Sequence, residues 1–529
     1  MTKFILSFII ILAFVLRFYR LDDVPLGFHQ DEISQGYNSF SILETGKDRY
    51  GQVLPILFRS FGSYQPPVYT YLTTALLYFL GNTVFAARFI SALFGVLTVF
   101  VTYFIVKIIS EEKYQDKLAL LTSFIVAISP WAIHFSRRVV EGNLGIFFFL
   151  LALLFFLKSL KEIKYLLLAS IILGISTHAY YSERLISVIF LPFFVIYFKG
   201  YFLKYKKYVL LGIALFGLTL LPHAVTILTG AFASRLDQVG TAGKGAMFLV
   251  EFAKHFVNYF QPLYLFSDAG SGLARVSPDL GVFYNWFFIP FLVGIYFISK
   301  VIKDVYLKFL VVFIFISLIP ASLTGDIFYP LRALEYFWIL SLIVSIGILK
   351  IGHIIQNKII KNSLLIGLTI YSLSFFYVSY FVLFSHETTE NMGNTYLTLS
   401  NKLKEFNDYQ IVVDSTRDPA TGLRIAYFRS YDPIRLQNSL KPQMQSDYYS
   451  LFVNNNETYK IDNIEARAIN WKVDRCSAKT ILVGDKLSIS DDQIRDHNLT
   501  KLFEINGINN NVVLFGYLTK PDEKCKLNI

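Results

Sequence analysis

Apolar residues in this chain come in long runs separated by short polar loops until about residue 385, where the pattern changes. A helix needs roughly 20 predominantly apolar residues to cross about 30 Å of hydrocarbon. Runs approaching that length lie at Phe4–Phe18, Phe85–Ile109, Leu118–Phe135, Leu144–Leu157, Tyr165–Ser176, Leu185–Phe198, Tyr208–Leu228, Val282–Ser299, Phe309–Leu323, Leu334–Leu349 and Leu364–Phe384. They predict about eleven spans. A further run, Pro67–Leu80, is only about fourteen residues long and opens on Pro66 and Pro67, so it predicts an interfacial helix that does not cross.

That one assignment fixes the sides. With Pro67–Leu80 kept at the surface, the loops Lys158–Lys164, Lys199–Lys207, Lys300–Lys308 and Lys350–Lys361 share a side, and all are rich in lysine. The positive-inside rule makes that side cytoplasmic. Arg20–Gln65, Ser136–Asn143, His178–Arg184, Thr229–Gly281 and Gly325–Arg332 then lie outside, with the N-terminus inside. No short apolar region followed by a small-residue cleavage site opens the chain, so Phe4–Phe18 is expected to stay as the first span.

From His386 onward the chain is polar. Strand-like runs occur at Gln410–Asp414, Thr480–Val483 and Val512–Leu518, and helical patterns at Thr395–Phe406 and Thr421–Tyr431. The expected fold class is an α-helical polytopic membrane protein with a C-terminal extracytoplasmic α/β domain. Residues 1–385 form the membrane domain, with interfacial helices in the first external loop, 20–84, and residues 386–529 form the external domain. Cys476 and Cys525, the only cysteines, fit either a disulfide in an oxidising exterior or two separate buried thiols.

Composition agrees with a bilayer. The chain is 54% hydrophobic and 16% charged, outside the usual range of a soluble globular chain. Its net charge of +11 would suit nucleic acid, but the basic residues sit in short loops between apolar runs, so a cell-membrane protein without a nucleic-acid partner is expected. There is no internal repeat, zinc-type Cys/His spacing or phosphate-binding glycine loop.

The unusual polar residues gather on the external side. The first loop holds His29, Asp31 and Glu32, then Tyr37 and Tyr64. A carboxylate held above the bilayer can take the proton of an attacking hydroxyl, but Asp31 and Glu32 could equally cap or start a helix, since acids favour first turns, and spacing alone leaves both readings open. Arg137, Arg138 and Glu141 form a second cluster, in which guanidiniums could grip a phosphate or snorkel to headgroups. His178, Tyr180, Tyr181, Glu183 and Arg184 form a third, and His255 lies in the largest loop. Tyr329, Arg332 and Glu335 form the last, where Arg332 could neutralise a lipid phosphate, pair with Glu335, or do both.

The ordered short motifs Arg17 to Leu21, Pro25 to Glu32, Gly36-Tyr37, Thr45-Gly46, Pro55, Tyr64 to Tyr69 and Arg88 to Gly95 carry a family resemblance. They resemble the GT-C glycosyltransferases related to protein O-mannosyltransferases and lipid A aminoarabinose transferases. The resemblance implies amphipathic helices of the first loop on the outer leaflet, Asp31 as catalytic carboxylate, and Glu141 in the place of a second acid. It implies that Arg332 binds the donor phosphate; Arg138 or Arg184 is expected to help hold it. It also implies an undecaprenyl- or dolichyl-phosphate sugar donor and inversion at the anomeric carbon. His29, Glu32, Tyr37, Tyr64, His178, Tyr181 and His255 are further site candidates. Some members of the family hold a metal with an acid just before the proline of the interfacial helix, where this chain has Gln65, so no obligatory metal is expected.

The expected reaction is therefore sugar transfer from a polyprenyl-phosphate donor to a lipid, protein or glycan hydroxyl. A polymerase or ligase of lipid-linked glycans remains open within the same architecture. A lipid or solute transporter fits less well, because the spans themselves are nearly free of acids.

Overall fold

The computed structural model describes all residues except 241–244, 271–275, 301–303, 391, 455–456, 522–524 and 526–529. Part of the lysine-rich loop Lys300–Lys308 lies outside the described residues. The chain forms two compact units, one of Met1–Leu21, Arg88–Leu228 and Arg235–Phe384, the other of Asp22–Ala87, Thr229–Ser234 and Ser385–Ile529.

The first unit is helical, and every one of the eleven apolar runs forms helix. Among the described residues, five helices are long and apolar enough to cross a membrane, or up to seven if each bent pair is one span; Tyr165–Ala179 and Asn285–Lys300 are shorter apolar helices. The chain is thus a multi-pass membrane protein, and eleven crossings remain an expectation. The run expected as one straight span at Leu118–Phe135 is instead two helices, Gln115–Ile128 and Pro130–Ser136, bent by 55°. Pro130 has no N–H to give and ends the first helix, leaving carbonyls in its last turn without helical donors.

Buried arginines supply donors to such ends. Arg17 Nη1 donates to Ala127 O at 3.1 Å, Nη2 to Val126 O at 3.4 Å, and Nε to Ser136 Oγ at 3.3 Å. Arg137 does the same for the first helix, Thr2–Phe18, donating to Leu16 O at 3.0 Å and Tyr19 O at 2.6 Å. Its guanidinium also lies 4.7 Å from the Phe381 ring. Gly95 makes room for this knot, since a Cβ there would lie 2.8 Å from Arg17 Nε. Elsewhere aromatic rings interlock between helices, as in Phe149–Phe190 at 4.9 Å, Phe149–Phe313 at 5.4 Å and Phe156–Phe194 at 5.0 Å.

The second unit joins the first external loop to the C-terminal tail. The boundary drawn from polarity near residue 385 falls at Ser385, but the unit also takes in Asp22–Ala87. Pro67–Leu80 is a helix within it, with Pro67 at the first turn and Gly81 ending it at φ +71°. β1 (Phe58–Ser60) and β2 (Ser63–Gln65) form an antiparallel hairpin just before that helix. The tail contributes β3 (Gln410–Val413), β4 (Tyr459–Ile461), β5 (Ile464–Ala466), β6 (Thr480–Gly484), β7 (Thr500–Asn506) and β8 (Val512–Leu518). These make one mixed sheet in the order β4-β5-β3-β6-β8-β7, parallel only where β3 meets β5 and β6. Val412, Leu482, Phe515 and Tyr517 pack one face of it with Ile489 and Leu499. Cys476 and Cys525 are joined in a disulfide.

Loop and tail are tied by buried polar contacts. Tyr37 OH donates to Tyr431 O at 2.8 Å, Tyr64 OH to Tyr448 O at 2.7 Å, and Tyr448 OH to Asp48 Oδ2 at 2.6 Å. Gln437 Nε2 donates to Ser41 Oγ at 3.0 Å and Thr45 Oγ1 at 2.9 Å. Each satisfies groups that would otherwise be buried without a partner.

Candidate active site

In the loop-and-tail unit, the helix Gln30–Thr45 opens with the first acidic pair. His29 is its N-cap, accepting from the Asp31 amide through Nδ1 at 3.3 Å, while Glu32 Oε2 accepts from the His29 backbone N–H at 3.0 Å. This is a reciprocal capping box with histidine in the place usually held by serine or threonine. Glu32 is buried and holds the helix end, whereas 47% of the Asp31 side chain is exposed. Asp31 Oδ2 lies 3.8 Å from His29 Nδ1, and Gln65 Nε2 donates to the Asp31 carbonyl at 3.1 Å. The neighbouring acid is thus engaged by the fold, and the exposed carboxylate sits on a capped first turn. Tyr37 and Tyr64, through the bonds described above, hold the loop to the tail, and burial raises both phenols above their ordinary value.

In the helical unit, three apolar helices begin close together, at Glu141, Tyr181 and Leu334. Gly142 permits it: a Cβ there would lie 2.7 Å from Leu331 Cδ1 and 3.5 Å from Tyr180 Cε1. Tyr180 is the hub, its phenol within electrostatic reach of Arg332, Tyr329, Glu141 and Arg235, and burial holds it well above the ordinary tyrosine range. Arg332 Nη1 donates to Asp326 Oδ2 and to Thr324 Oγ1, both at 2.7 Å, and the guanidinium stacks 4.4 Å from the Tyr329 ring. The partner expected for Arg332, Glu335, is not the one it uses. Tyr259 OH donates to Tyr329 O at 3.3 Å, and burial pushes that phenol up to about 12 against the pull of Arg332.

Helix N-termini carry partial positive charge and free N–H groups, so three of them beside an arginine make a place that favours an anion. Glu141 stands in the first turn of one, half-buried. Arg184 stacks 4.2 Å above Tyr181, and Arg138 is half-buried beside Arg137. His178 stacks on His223 at 4.1 Å, with Nε2 2.7 Å from Thr219 O. His255 is buried, with Nε2 3.6 Å from Glu251. Among the described residues, no group of three or more His, Cys, Asp or Glu side chains is placed to hold a metal ion.

The structure thus brings Glu141 and Arg332 together about Tyr180, and His29, Asp31 and Glu32 about one helix end. Asp326, Tyr259 and Arg235 were not among the candidates. Asp326 alone carried a signal, as an acid within a short turn between apolar runs.

A family model described as dolichyl-phosphate-mannose-protein mannosyltransferase matches residues 64–225. No curated protein matches the chain. ArnT from Cupriavidus metallidurans bound to undecaprenyl phosphate is similar in structure at a TM-score of 0.60 and 10% identity, over 98% of this chain and 99% of that one. Its apo state gives a TM-score of 0.57 at 11% identity with the same coverage. AglB, an oligosaccharyltransferase from Archaeoglobus fulgidus, in complex with an inhibitory peptide and a dolichol-phosphate, gives a TM-score of 0.48 at 12% identity, over 98% of this chain and 74% of that one. The chain has the ArnT fold and resembles the GT-C membrane glycosyltransferases that its first-loop motifs indicated.

Proposed function

We propose that this protein is an inverting glycosyltransferase that moves a sugar from a polyprenyl-phosphate donor to an acceptor hydroxyl at the external face of the cell membrane. The observation that carries the reading is the meeting of three helix N-termini and Arg332 around Tyr180, a setting suited to a lipid phosphate at the membrane surface. The match to a mannosyltransferase family model and the fold shared with a protein that binds undecaprenyl phosphate support the same donor class.

Asp31 is the general base. It accepts the proton of the acceptor hydroxyl as that oxygen attacks the anomeric carbon, and the bond from that carbon to the phosphate oxygen breaks with its electrons staying on the phosphate. A single displacement inverts the centre. Arg332, assisted by Arg138 or Arg184, stabilises the charge on the departing lipid phosphate, while Glu141 serves acceptor binding or supports the base. The displacement requires no metal, since polyprenyl phosphate is already a good leaving group.

The test uses purified protein in vesicles with two donors, a polyprenyl-phosphate monosaccharide and a polyprenyl-pyrophosphate oligosaccharide. Transfer from the first, with product of inverted anomeric configuration, is the expected result. Transfer from the second alone would overturn the reading in favour of a ligase. Mass spectrometry of lipid-linked sugars accumulating in cells lacking the protein identifies the sugar.

A further inference from the structure

The loop Thr229–Gly281, expected from sequence to lie outside the membrane, contains a helix turned inside out. In Ala246–Asn258 the positions Ala246, Val250, Ala253 and Val257 recur at spacings of four and three, and all are exposed, as is Phe260 just beyond. Met247 and Leu249 flank this row, and Met247, Leu249, Val250 and Val257 are each between 59% and 66% exposed. The polar positions Glu251, His255 and Asn258 keep the same spacing on the opposite side, where His255 and Asn258 are buried. A helix at the surface of a water-soluble fold carries the reverse order, apolar side in and polar side out.

Its neighbours give the depth. The helix packs against Ile319–Ser322, the end of the apolar span Val305–Ser322. Phe256 and Phe260 each lie 6.3 Å, ring to ring, from Phe315 of that span, which is itself exposed. Phe315 precedes Ser322 by seven residues, about 10 Å at the helical rise, so the apolar face of the short helix continues the outer surface of the span well below its end. The helix itself extends only about 20 Å, too little to cross about 30 Å of hydrocarbon. Lys254, the one charged residue among its exposed positions, is long enough to carry its ammonium to the headgroups.

We infer that Ala246–Asn258 is an interfacial helix whose face of Leu249, Val250 and Val257 is buried in the leaflet at that end of the span. Helices of this kind sink their apolar side about 5–10 Å into the boundary between headgroups and acyl chains. The occupant of the face is lipid, because the surface it prolongs is that of a spanning helix. The other side belongs to the protein: Tyr259, next after the helix, donates to Tyr329 O at 3.3 Å, and its carbonyl accepts from Tyr336 OH at 3.0 Å. Arg332 stacks on Tyr329, so the helix borders the proposed donor site from the lipid side. Only this consequence rests on the proposed function; the lipid contact does not.

Site-directed spin labelling of the full protein in phosphatidylcholine and phosphatidylglycerol vesicles tests the contact. Single cysteines replace Leu249, Val250 or Val257, and Val312 of the span serves as the lipid-facing reference. Cys476 and Cys525 are paired and take no label under non-reducing conditions. At Leu249→Cys, Val250→Cys and Val257→Cys, oxygen is expected to collide with the nitroxide several-fold more often than a water-soluble nickel chelate does, as at Val312→Cys. Chelate collisions that equal or exceed those of oxygen place the face in water and overturn the inference. Exclusion of both reagents, with spectra broadened by a second label nearby, puts a second copy of the chain on the face and overturns it as well. A variant that fails to fold leaves the other two, on the same face, to decide. The labels are read without donor, so failure of the protein to use a polyprenyl-phosphate sugar contradicts the proposed function and leaves this test intact.

Discussion

The Asp31 amide donates its hydrogen bond to His29 Nδ1, so the exposed carboxylate rides on a helix end fixed by its neighbour two residues earlier. Glu32 completes the arrangement from the other direction. The division of labour between adjacent acids follows: Glu32 holds the helix and Asp31 faces out.

Glu32→Ala is therefore expected to destabilise the loop-and-tail unit by about 1 kcal/mol, the usual cost of a lost helix cap. Glu32→Gln, which can still accept from the His29 amide, should preserve both the thermal midpoint and transfer. A large loss of transfer in Glu32→Gln without a change in midpoint would show that Glu32 acts in the reaction.

Arg332→Ala should lower kcat/KM for the lipid donor by about 100- to 1,000-fold, the scale of a lost charge-stabilising contact, and Arg332→Lys should recover only part of it. Steady-state kinetics with a purified polyprenyl-phosphate sugar measures both.

Asp48 gives a pH prediction. Burial raises its carboxyl above the ordinary 3.8, against hydrogen bonds from Tyr448 OH, Gln52 N and Tyr50 N that act to lower it. The folded state binds this proton more readily than the unfolded chain does, so the stability it contributes is full below about pH 3.8 and is lost as pH rises through the raised folded value. In Asp48→Asn the amide can donate to Tyr448 OH, which turns to Leu57 O, 3.2 Å away. Thermal melts from about pH 4 to pH 7 should show this variant with a shallower decline than the native protein.

The disulfide joins Cys476 and Cys525 across a sequence separation of 49. Cys525→Ser should cost about 2–4 kcal/mol of stability through the freed unfolded chain. A midpoint equal to the native one under non-reducing conditions would contradict this.

Much of this was legible from the sequence because run length and polarity carry it. Pro67–Leu80 forms the helix read from its proline start, and it folds with the tail rather than within the helical unit. β3, β6 and β8 fall on the apolar runs that announced them. β4 and β5 have three residues each, too few for an alternating pattern to register, and in β7 the adjacent Leu502 and Phe503 between Lys501 and Glu504 break the period of two. In sequence Arg137 could either grip a phosphate or snorkel to headgroups; in the structure it donates to backbone carbonyls more than a hundred positions away, which no local pattern reports. The capping box was present as His29 and Glu32 at the right spacing, hidden by histidine in an unusual role.

The central claim is that Asp31 is the base for sugar transfer. Its most direct test is turnover of Asp31→Asn with a purified polyprenyl-phosphate sugar, alongside its folded yield. We expect normal yield and transfer reduced by about 100- to 10,000-fold; near-native turnover in that variant would contradict the account.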